Sequence, residues 1–324
     1  MNAVEILLIA LLLDAILGEP KLLWSRVPHP AVVMGRAVSG LDRVLNTAPG
    51  RMAKGVLTIF LLVLGAGAIG LGIVTAQKAI AANLPPATQG WLPDFGYIEA
   101  AFVTILLSHR SLVDHVRAVR RGLNASVEDG RAAVGMIVGR DTAAMNESDV
   151  ARAAIESAAE NFSDGVVAPA FWYLLFGLPG ILVYKVVNTA DSMIGHLNDR
   201  YALFGWGSAR LDDLMNWIPA RITGGIFCTI GMTRGAWELM REEAQFHRSP
   251  NAGWPEAAMA ASLRVALAGP RSYDGKLSGD MYINGGARRD LVANDIRGAV
   301  GMLWRGWIAI IVVLALIALI LMIA

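Results

Sequence analysis

Residues 55–76 and 306–324 contain no ionisable side chain. As helices, both runs are long enough to cross a hydrocarbon core of roughly 30 Å. This feature restricts the fold before any other, because backbone polar groups in lipid must satisfy one another, and a single apolar run does so only as a helix. The rest of the composition agrees: 55% of the 324 residues are apolar and 17% charged, outside the range of soluble domains. The expected class is all-α, a polytopic helical membrane protein with about five or six membrane segments.

The first eighteen residues are also apolar. They lack a basic n-region and a small-residue cleavage site, and Glu5 and Asp14 interrupt them, so they read as a retained helix rather than a signal peptide. Further segments are expected at 95–108, which carries Glu99, at 165–184, and at 222–233, or 214–233 if the last begins earlier. Within 165–184 the sequence Phe176-Gly177-Leu178-Pro179-Gly180 breaks or sharply kinks a helix. Two half-helices in a re-entrant hairpin would return Asp164 and Asn188 to one side of the membrane, whereas a single crossing would separate them. An active site drawing on both ends favours the hairpin.

Lys21, Arg26, Arg36, Arg43, Arg51 and Lys54 crowd the stretch 19–54, while 77–94 carries only Lys78. The first is therefore placed in the cytoplasm and the second outside. The arginine-rich stretches 109–164 and 234–305 fall on the cytoplasmic side, as two polar segments of one membrane domain spanning 1–324. A net charge of +1 offers no unopposed basic surface for nucleic acid. Cys228 is the sole cysteine, which excludes disulfide frameworks and thiolate-only metal sites within one chain.

The ionisable residues cluster. In Glu156-Ser-Ala-Ala-Glu160-Asn161-Phe-Ser-Asp164 the carboxylates recur at i, i+4 and i+8 on one helical face, where mutual repulsion is unfavourable. A Mg²⁺ ion relieves it; the plain alternative is a solvated face with Arg152 neutralising Glu156. Asn146 or Ser148 caps the helix that carries them. Downstream, Lys185, Asn188, Ser192 and His196 share a face with Asp191 at its edge, a set suited to nucleotide phosphate and its metal. Arg210-Leu-Asp212-Asp213 and Pro219-Ala-Arg221 place two arginines around paired aspartates. His247-Arg248-Ser249-Pro250-Asn251 reads as a polar turn able to meet an anion. By contrast, Gly65-Ala-Gly67-Ala-Ile-Gly70 matches a dinucleotide fingerprint but lies in a lipid-length run, where small residues serve close helix packing.

In this order the blocks resemble the adenosylcobinamide-phosphate synthase family of cobalamin biosynthesis, the CobD/CbiB proteins. The resemblance runs from Asp14-Ala-Ile-Leu-Gly18-Glu19-Pro20 and Pro28-His29-Pro30 through Gly139-Arg140-Asp141-Thr142, Asp164-Gly165 and Asn188-Thr189-Ala-Asp191-Ser192. It ends at His247-Arg248-Ser249-Pro250-Asn251-Ala-Gly253. It implies an ATP-dependent ligase joining the propionate of adenosylcobyric acid to aminopropanol or aminopropanol phosphate, giving adenosylcobinamide or its phosphate, at the cytoplasmic face of a bacterial inner membrane. Its cofactors would be ATP and Mg²⁺, with the corrinoid as substrate, membrane lipid around it and other cobalamin-pathway enzymes as partners. Residue chemistry then suggests Glu156, Glu160, Asp164 and Asp191 for metal, and Lys185, Arg210 and Arg221 for phosphate, with Asn161, Asn188 and Ser192 as binding groups. Arg140, His247, Arg248 and Asn251 would hold substrate, and Asp212 or Asp213 would take the amine's proton. Two other readings use the same residues: a transporter with intramembrane Asp14 and Glu99, and a non-catalytic scaffold for pathway enzymes.

Overall fold

The computed structural model describes residues 1–20, 24–83, 96–270, 272–273, 276–277 and 279–323, with backbone alone at 272–273 and 276–277. Lys21, Phe95, residues 84–94 of the expected external stretch, and 271, 274–275 and 278 of the second polar segment lie outside the described residues.

Helices dominate. In chain order they begin with α1 (Ala3–Leu17), α2 (Pro30–Leu45), α3 (Arg51–Asn83) and α4 (Gly96–Leu106). Next come α5 (His109–Ala125), α6 (Val127–Val134) and α7 (Glu147–Phe162). A π-helical turn, Ser163–Val167, leads into α8 (Ala168–Ile194), followed by α9 (Trp206–Gly231), α10 (Ala236–Glu243), α11 (Gly253–Leu263) and α12 (Ala293–Ile323). Between α11 and α12 lie β1 (Leu267–Ala268), β2 (Ser272–Tyr273), β3 (Lys276–Leu277) and β4 (Tyr282–Ile283). β1 pairs antiparallel with β4, and β2 with β3. These ladders are the departure from an all-helical chain, and strands of two residues are too short to leave a periodic signal in sequence.

Among the described residues, three helices are long and apolar enough to cross a membrane: Arg51–Asn83, Glu147–Ile194 and Ala293–Ile323. They contain the runs 55–76 and 165–184 and, to Ile323, the run 306–324 marked by composition. α1 and α4 have 15 and 11 residues, below that length. α9 starts at Trp206 and continues through Pro219, well before the expected 214.

Two compact units are present, one comprising Met1–Ser108, Ala168–Met215 and Leu314–Ala324, the other His109–Val167 and Asn216–Val313. In the first, α8 packs on α2, α3 and α4, and α1 on α4. Its core gathers Val38, Ile59, Leu62, Tyr184, Val187, Ile194 and Phe204. The break expected at 176–180 is present: Gly177 has φ 62 and ψ −151 inside α8, a conformation open to glycine and costly for other residues. Residues on either side of it reach α9. Trp172 donates from Nε1 to the Met215 carbonyl (3.1 Å) and Asn188 from Nδ2 to Asp212 Oδ1 (3.4 Å), contacts to positions one turn apart on α9. On a straight helix Trp172 and Asn188 would be about 24 Å apart.

Gly70 of α3 seats against this bend, since a Cβ there would lie 2.6 Å from Pro179 Cα. Gly67 faces Val183 at 3.7 Å, while a Cβ on Gly65 would meet nothing within 4 Å. Close packing through small residues is therefore the role of Gly70 and Gly67 in the glycine motif. Glu99 accepts the Tyr173 hydroxyl at 2.8 Å, which ties α4 to the first half of α8.

In the second unit, α5 packs on α6 and α7, and α11 on α10 and α7. Leu112, Val113, Val116, Val119 and Leu123 form the buried stripe of α5. At its start His109 is buried among Phe162, Trp304 and Trp307, with ring centroids 5.9, 4.7 and 5.8 Å away. Burial, aided by Arg110 and Arg117, pushes its imidazole down to about 4.

Two outcomes follow from this packing. Gly70→Ala forces a Cβ into backbone and should lower stability by about 1–3 kcal/mol, read as a drop in melting temperature in detergent, whereas Gly65→Ala should leave it unchanged. His109 is neutral in the fold above about pH 4 but takes a proton near 6.5 when unfolded. Its contribution is thus complete above 6.5 and disappears as pH falls toward 4. His109→Phe should flatten the decline in melting temperature over that window; an unaltered slope would show that other groups set the acid limit.

Candidate functional site

Each unit carries a polar group, and the more enclosed belongs to the second. α7 opens with a capping box: Asn146 Oδ1 accepts the Asp149 N–H (3.0 Å) and the Asp149 carboxylate accepts the Asn146 N–H (3.2 Å). Asn146 is therefore the cap, of the two candidates. From this start Ala153, Glu156, Ser157 and Glu160 fall at i, i+3, i+4 and i+7 on one face. With Ile137, Val138, Gly139, Arg140 and Glu256 they line a cavity of about 180 Å³. The Ser157 hydroxyl donates to the Ile137 carbonyl (2.8 Å), holding the 137–140 loop on α7. Asn161 Nδ2 in turn donates to the Ser157 carbonyl and hydroxyl (2.9 and 3.0 Å).

Glu156 is 5% exposed. One of its oxygens meets Arg140 Nη2 at 2.9 Å and the other accepts the Ala268 N–H at 2.8 Å. Ala268 holds φ 55, a left-handed conformation that costs a non-glycine residue of order 1 kcal/mol and turns its N–H to this carboxylate. Arg152, offered by spacing as the counter-ion of Glu156, instead reaches Asp149 (3.0 Å) and the Arg289 carbonyl (2.6 Å). Arg140 comes from a loop sixteen positions away, beyond the reach of helical periodicity.

Glu256, 1% exposed, sits in the first turn of α11 with Oε1 3.5 Å from His247 Nε2. His247 Nδ1 accepts the Ser249 N–H at 3.0 Å, so the proton of the neutral ring resides on Nε2 and points at Glu256. Ser249 Oγ accepts the N–H groups of Asn251 and Ala252, both at 3.2 Å. The expected polar turn is thus a rigid mount for His247, with Asn251 buried in it. Arg248 pairs with Asp280 at 2.8 Å. Arg221 lies between two indoles, 4.2 Å from the Trp217 ring centre and 4.4 Å from that of Trp254, and donates to the Trp217 carbonyl at 2.6 Å.

In the first unit the polar group is built on α8 and α9. Ser192 Oγ donates to the Asn188 carbonyl (2.9 Å), Asn188 meets Asp212, and Arg210 pairs with Asp213 at 3.4 Å. Asp191 is near enough to Asp213 for their charges to repel. Burial raises the Asp213 carboxyl above the usual range, with Arg210 opposing. Lys185 lies in the field of His29, whose imidazole is lowered by burial, with Glu19 opposing and Lys185 reinforcing the shift. His29 also caps α2, its Nδ1 accepting the Ala31 N–H at 3.1 Å. α8 ends at Ile194, so His196, read as sharing the Lys185 face, lies beyond the helix.

The order of these blocks has a counterpart in known proteins. The model of the family described as CobD/Cbib protein matches residues 7–303. The chain belongs to the CobD/Cbib protein family. Curated relatives carry the same name, cobalamin biosynthesis protein CobD. The protein from Sinorhizobium fredii is 46% identical over 312 residues, covering 93% of this chain and 92% of its own. That from Brucella anthropi is 47% identical over 309 residues, 92% of each, and that from Rhizobium meliloti 48% over 307 residues, 91% and 90%. No solved structure matches.

For a CobD/Cbib chain the structure brings Arg140, Glu156 and Glu160 to one cavity, and Asn188, Asp191, Asp212 and Asp213 to one neighbourhood of α8 and α9. Asp164 stands in the π-helical turn, a local widening often found at functional positions. Among the described residues, no group of three or more His, Cys, Asp or Glu side chains is disposed to hold a metal ion unaided. Sequence reading passed over Glu256, although it is the only ionisable residue in the run 252–263. A lone carboxylate in an apolar helix was the signal available.

The Arg140–Glu156 pair yields a direct expectation. Both side chains are about nine-tenths buried or more, and removing one partner strands the other's charge, at a cost of about 3–5 kcal/mol. Arg140→Ala should lower the melting temperature well beyond Arg210→Ala, whose exposed ion pair is worth about 1 kcal/mol or less. Equal effects would mean that the cavity wall does not depend on this pair.

Proposed function

We propose that this chain is an ATP-dependent amide ligase of cobalamin biosynthesis, joining adenosylcobyric acid to aminopropanol or aminopropanol phosphate. Family membership over residues 7–303 supports the pathway, and the observation that carries the chemistry is the junction of α8 and α9, where Asn188 meets Asp212 beside the Arg210–Asp213 ion pair. Asp191 on α8 and Asp213 on α9 would be the carboxylates for Mg²⁺, which takes one or two carboxylates and completes its shell with phosphate oxygens and water. Bound there with ATP, the ion would supply charge neutralisation at the phosphates. Of the carboxylates expected to bind metal, Glu156 has both oxygens committed to Arg140 and Ala268.

In the reaction, a carboxylate oxygen of the corrinoid propionate attacks the γ-phosphorus and ADP departs, leaving an acyl phosphate. The amine nitrogen then attacks the acyl carbon, phosphate leaves, and the ammonium proton passes to a carboxylate, Asp212 or Asp213. Lys185 and Arg210 supply positive charge to phosphates, with Asn188 and Ser192 as hydrogen-bonding groups. Arg140, His247, Arg248 and Asn251 serve the substrates. The broken α8 is read as a re-entrant hairpin opening to the cytoplasmic face of the inner membrane. There its irregular backbone at Gly177 is covered by α3 through Gly70.

Incubation of purified protein with adenosylcobyric acid, Mg²⁺-ATP and each amine should give an amide product by mass spectrometry, with ATP consumed only when both organic substrates are present. Asp191→Asn should lower kcat by about a hundredfold or more. Movement of corrinoid across sealed vesicles without covalent change would favour a transporter, and absence of amide under every condition would defeat the ligase reading.

A further inference from the structure

The helices of the first unit leave open a groove that takes no part in the ligase reading. Its volume is about 450 Å³, within the roughly 300–1,000 Å³ of sites that enclose small ligands, and its lining is apolar. On α2, Pro30, Val33, Met34 and Ala37 fall at i, i+3, i+4 and i+7 and form one wall. α3 lines it through Leu61, Gly65 and Ile69, and the second half of α8 through Leu182 and Val186. Gly67 and Gly70 of α3 lie against α8, but a Cβ on Gly65 would meet nothing within 4 Å. The bare backbone of Gly65 therefore leaves room in the groove instead of seating a helix.

Surroundings, size and charge together fix what such a groove takes. Leu61, Gly65 and Ile69 belong to the run 55–76, which has no ionisable residue and lies in a helix of membrane length, so hydrocarbon chains are the medium beside it. A helix from a second copy is too broad. At about 10–12 Å across, it fills on the order of 1,000 Å³ over the length from Leu61 to Ile69, about twice the space present. The charge beside the groove is positive. α2 and the residues before it expose Val27, Val32 and Val33 together with Arg26, Arg36 and Arg43. That mixture is typical of an amphipathic helix lying at a membrane surface, where basic side chains meet anionic headgroups. Arg36 adjoins Ala37 of the groove wall.

We infer that this groove is the site of a resident anionic phospholipid, with one acyl chain lying between α2, α3 and the second half of α8 and the headgroup phosphate meeting Arg36. The site stands whether or not the chain is a ligase. It differs from the general lipid contact of exposed apolar faces, such as that of Leu316 and Ile320 on α12, in being walled by three helices and in carrying a guanidinium at its edge.

Full-length protein stripped of lipid in detergent, titrated with dioleoylphosphatidylglycerol or dioleoylphosphatidylcholine and weighed by native mass spectrometry, tests this. Wild type should take up a first phosphatidylglycerol at about tenfold lower concentration than further ones, and the choline lipid about fivefold more weakly. Gly65→Phe projects a ring into the groove and should raise the concentration needed for that first adduct by about tenfold or more. Gly72→Phe, equally open at its Cβ but beyond the groove, should stay within about twofold of wild type. Arg36→Gln should remove the preference for the anionic headgroup, and a preference retained there overturns the headgroup assignment. Phosphatidylglycerol with a mid-chain diazirine, at one equivalent, should label residues 33–37 and 61–69 of wild type in preference to α12. Equal labelling of α12 overturns the inference without any variant, as does a folded Gly65→Phe protein with unaltered uptake. Equal loss in Gly72→Phe and Gly65→Phe would assign uptake to the outer face of α3 at large. A lipid-free dimer that Gly65→Phe separates would give the groove to a second copy, and the inference would fall.

Discussion

A helix may leave its regular path in an apolar environment only where protein covers the backbone groups released, and the bend at Gly177 imposes that condition on the first unit. Pro179 removes one N–H donor and Gly177 takes a positive φ, so another surface must lie directly against the turn. α3 supplies it through Gly70, whose missing side chain permits approach to the backbone of Pro179. With the bend in place, Trp172 and Asn188 both reach one turn of α9, at Met215 and Asp212.

The carboxylates of the chain are managed in contrasting ways. Glu99 is held by a tyrosine hydroxyl and Asp42, on α2, by Arg200 at 2.6 Å and Asn46 at 2.8 Å. Such bonds give polar groups in or beside apolar surroundings a structural partner. The Tyr173–Glu99 bond gives one of the two acids expected in membrane segments a structural partner. In the α7 cavity Glu156 is held instead by the Arg140 guanidinium and the Ala268 N–H, a buried ion pair and hydrogen bond whose partners come from outside the helix.

Much of this was legible beforehand where chemistry is local. The apolar runs, the Asn146 cap, the break at Gly177 and the packing role of Gly70 all follow from neighbouring residues and from backbone rules that hold in any context. Helical spacing likewise put Glu156 and Glu160 on one face. It failed where partners come from afar: Arg152 was the counter-ion within reach along the helix, but Arg140 holds Glu156 from a loop, and His196 falls beyond the end of α8. Glu256 went unnoticed because its neighbours are apolar and its partner, His247, belongs to a different element.

By itself, then, the sequence determined that the chain is helical, that the runs 55–76 and 306–324 are of membrane length, and that it is a CobD/Cbib protein, since hydropathy, helix-breaking residues and block order are properties of the linear chain. The tertiary structure decided which charges meet. Arg140 with Glu156, Asp191 with Asp213, and His247 with Glu256 depend on where loops and helix ends come to rest, and electrostatic energy is set by distance in space and by burial, neither of which is written in residue spacing.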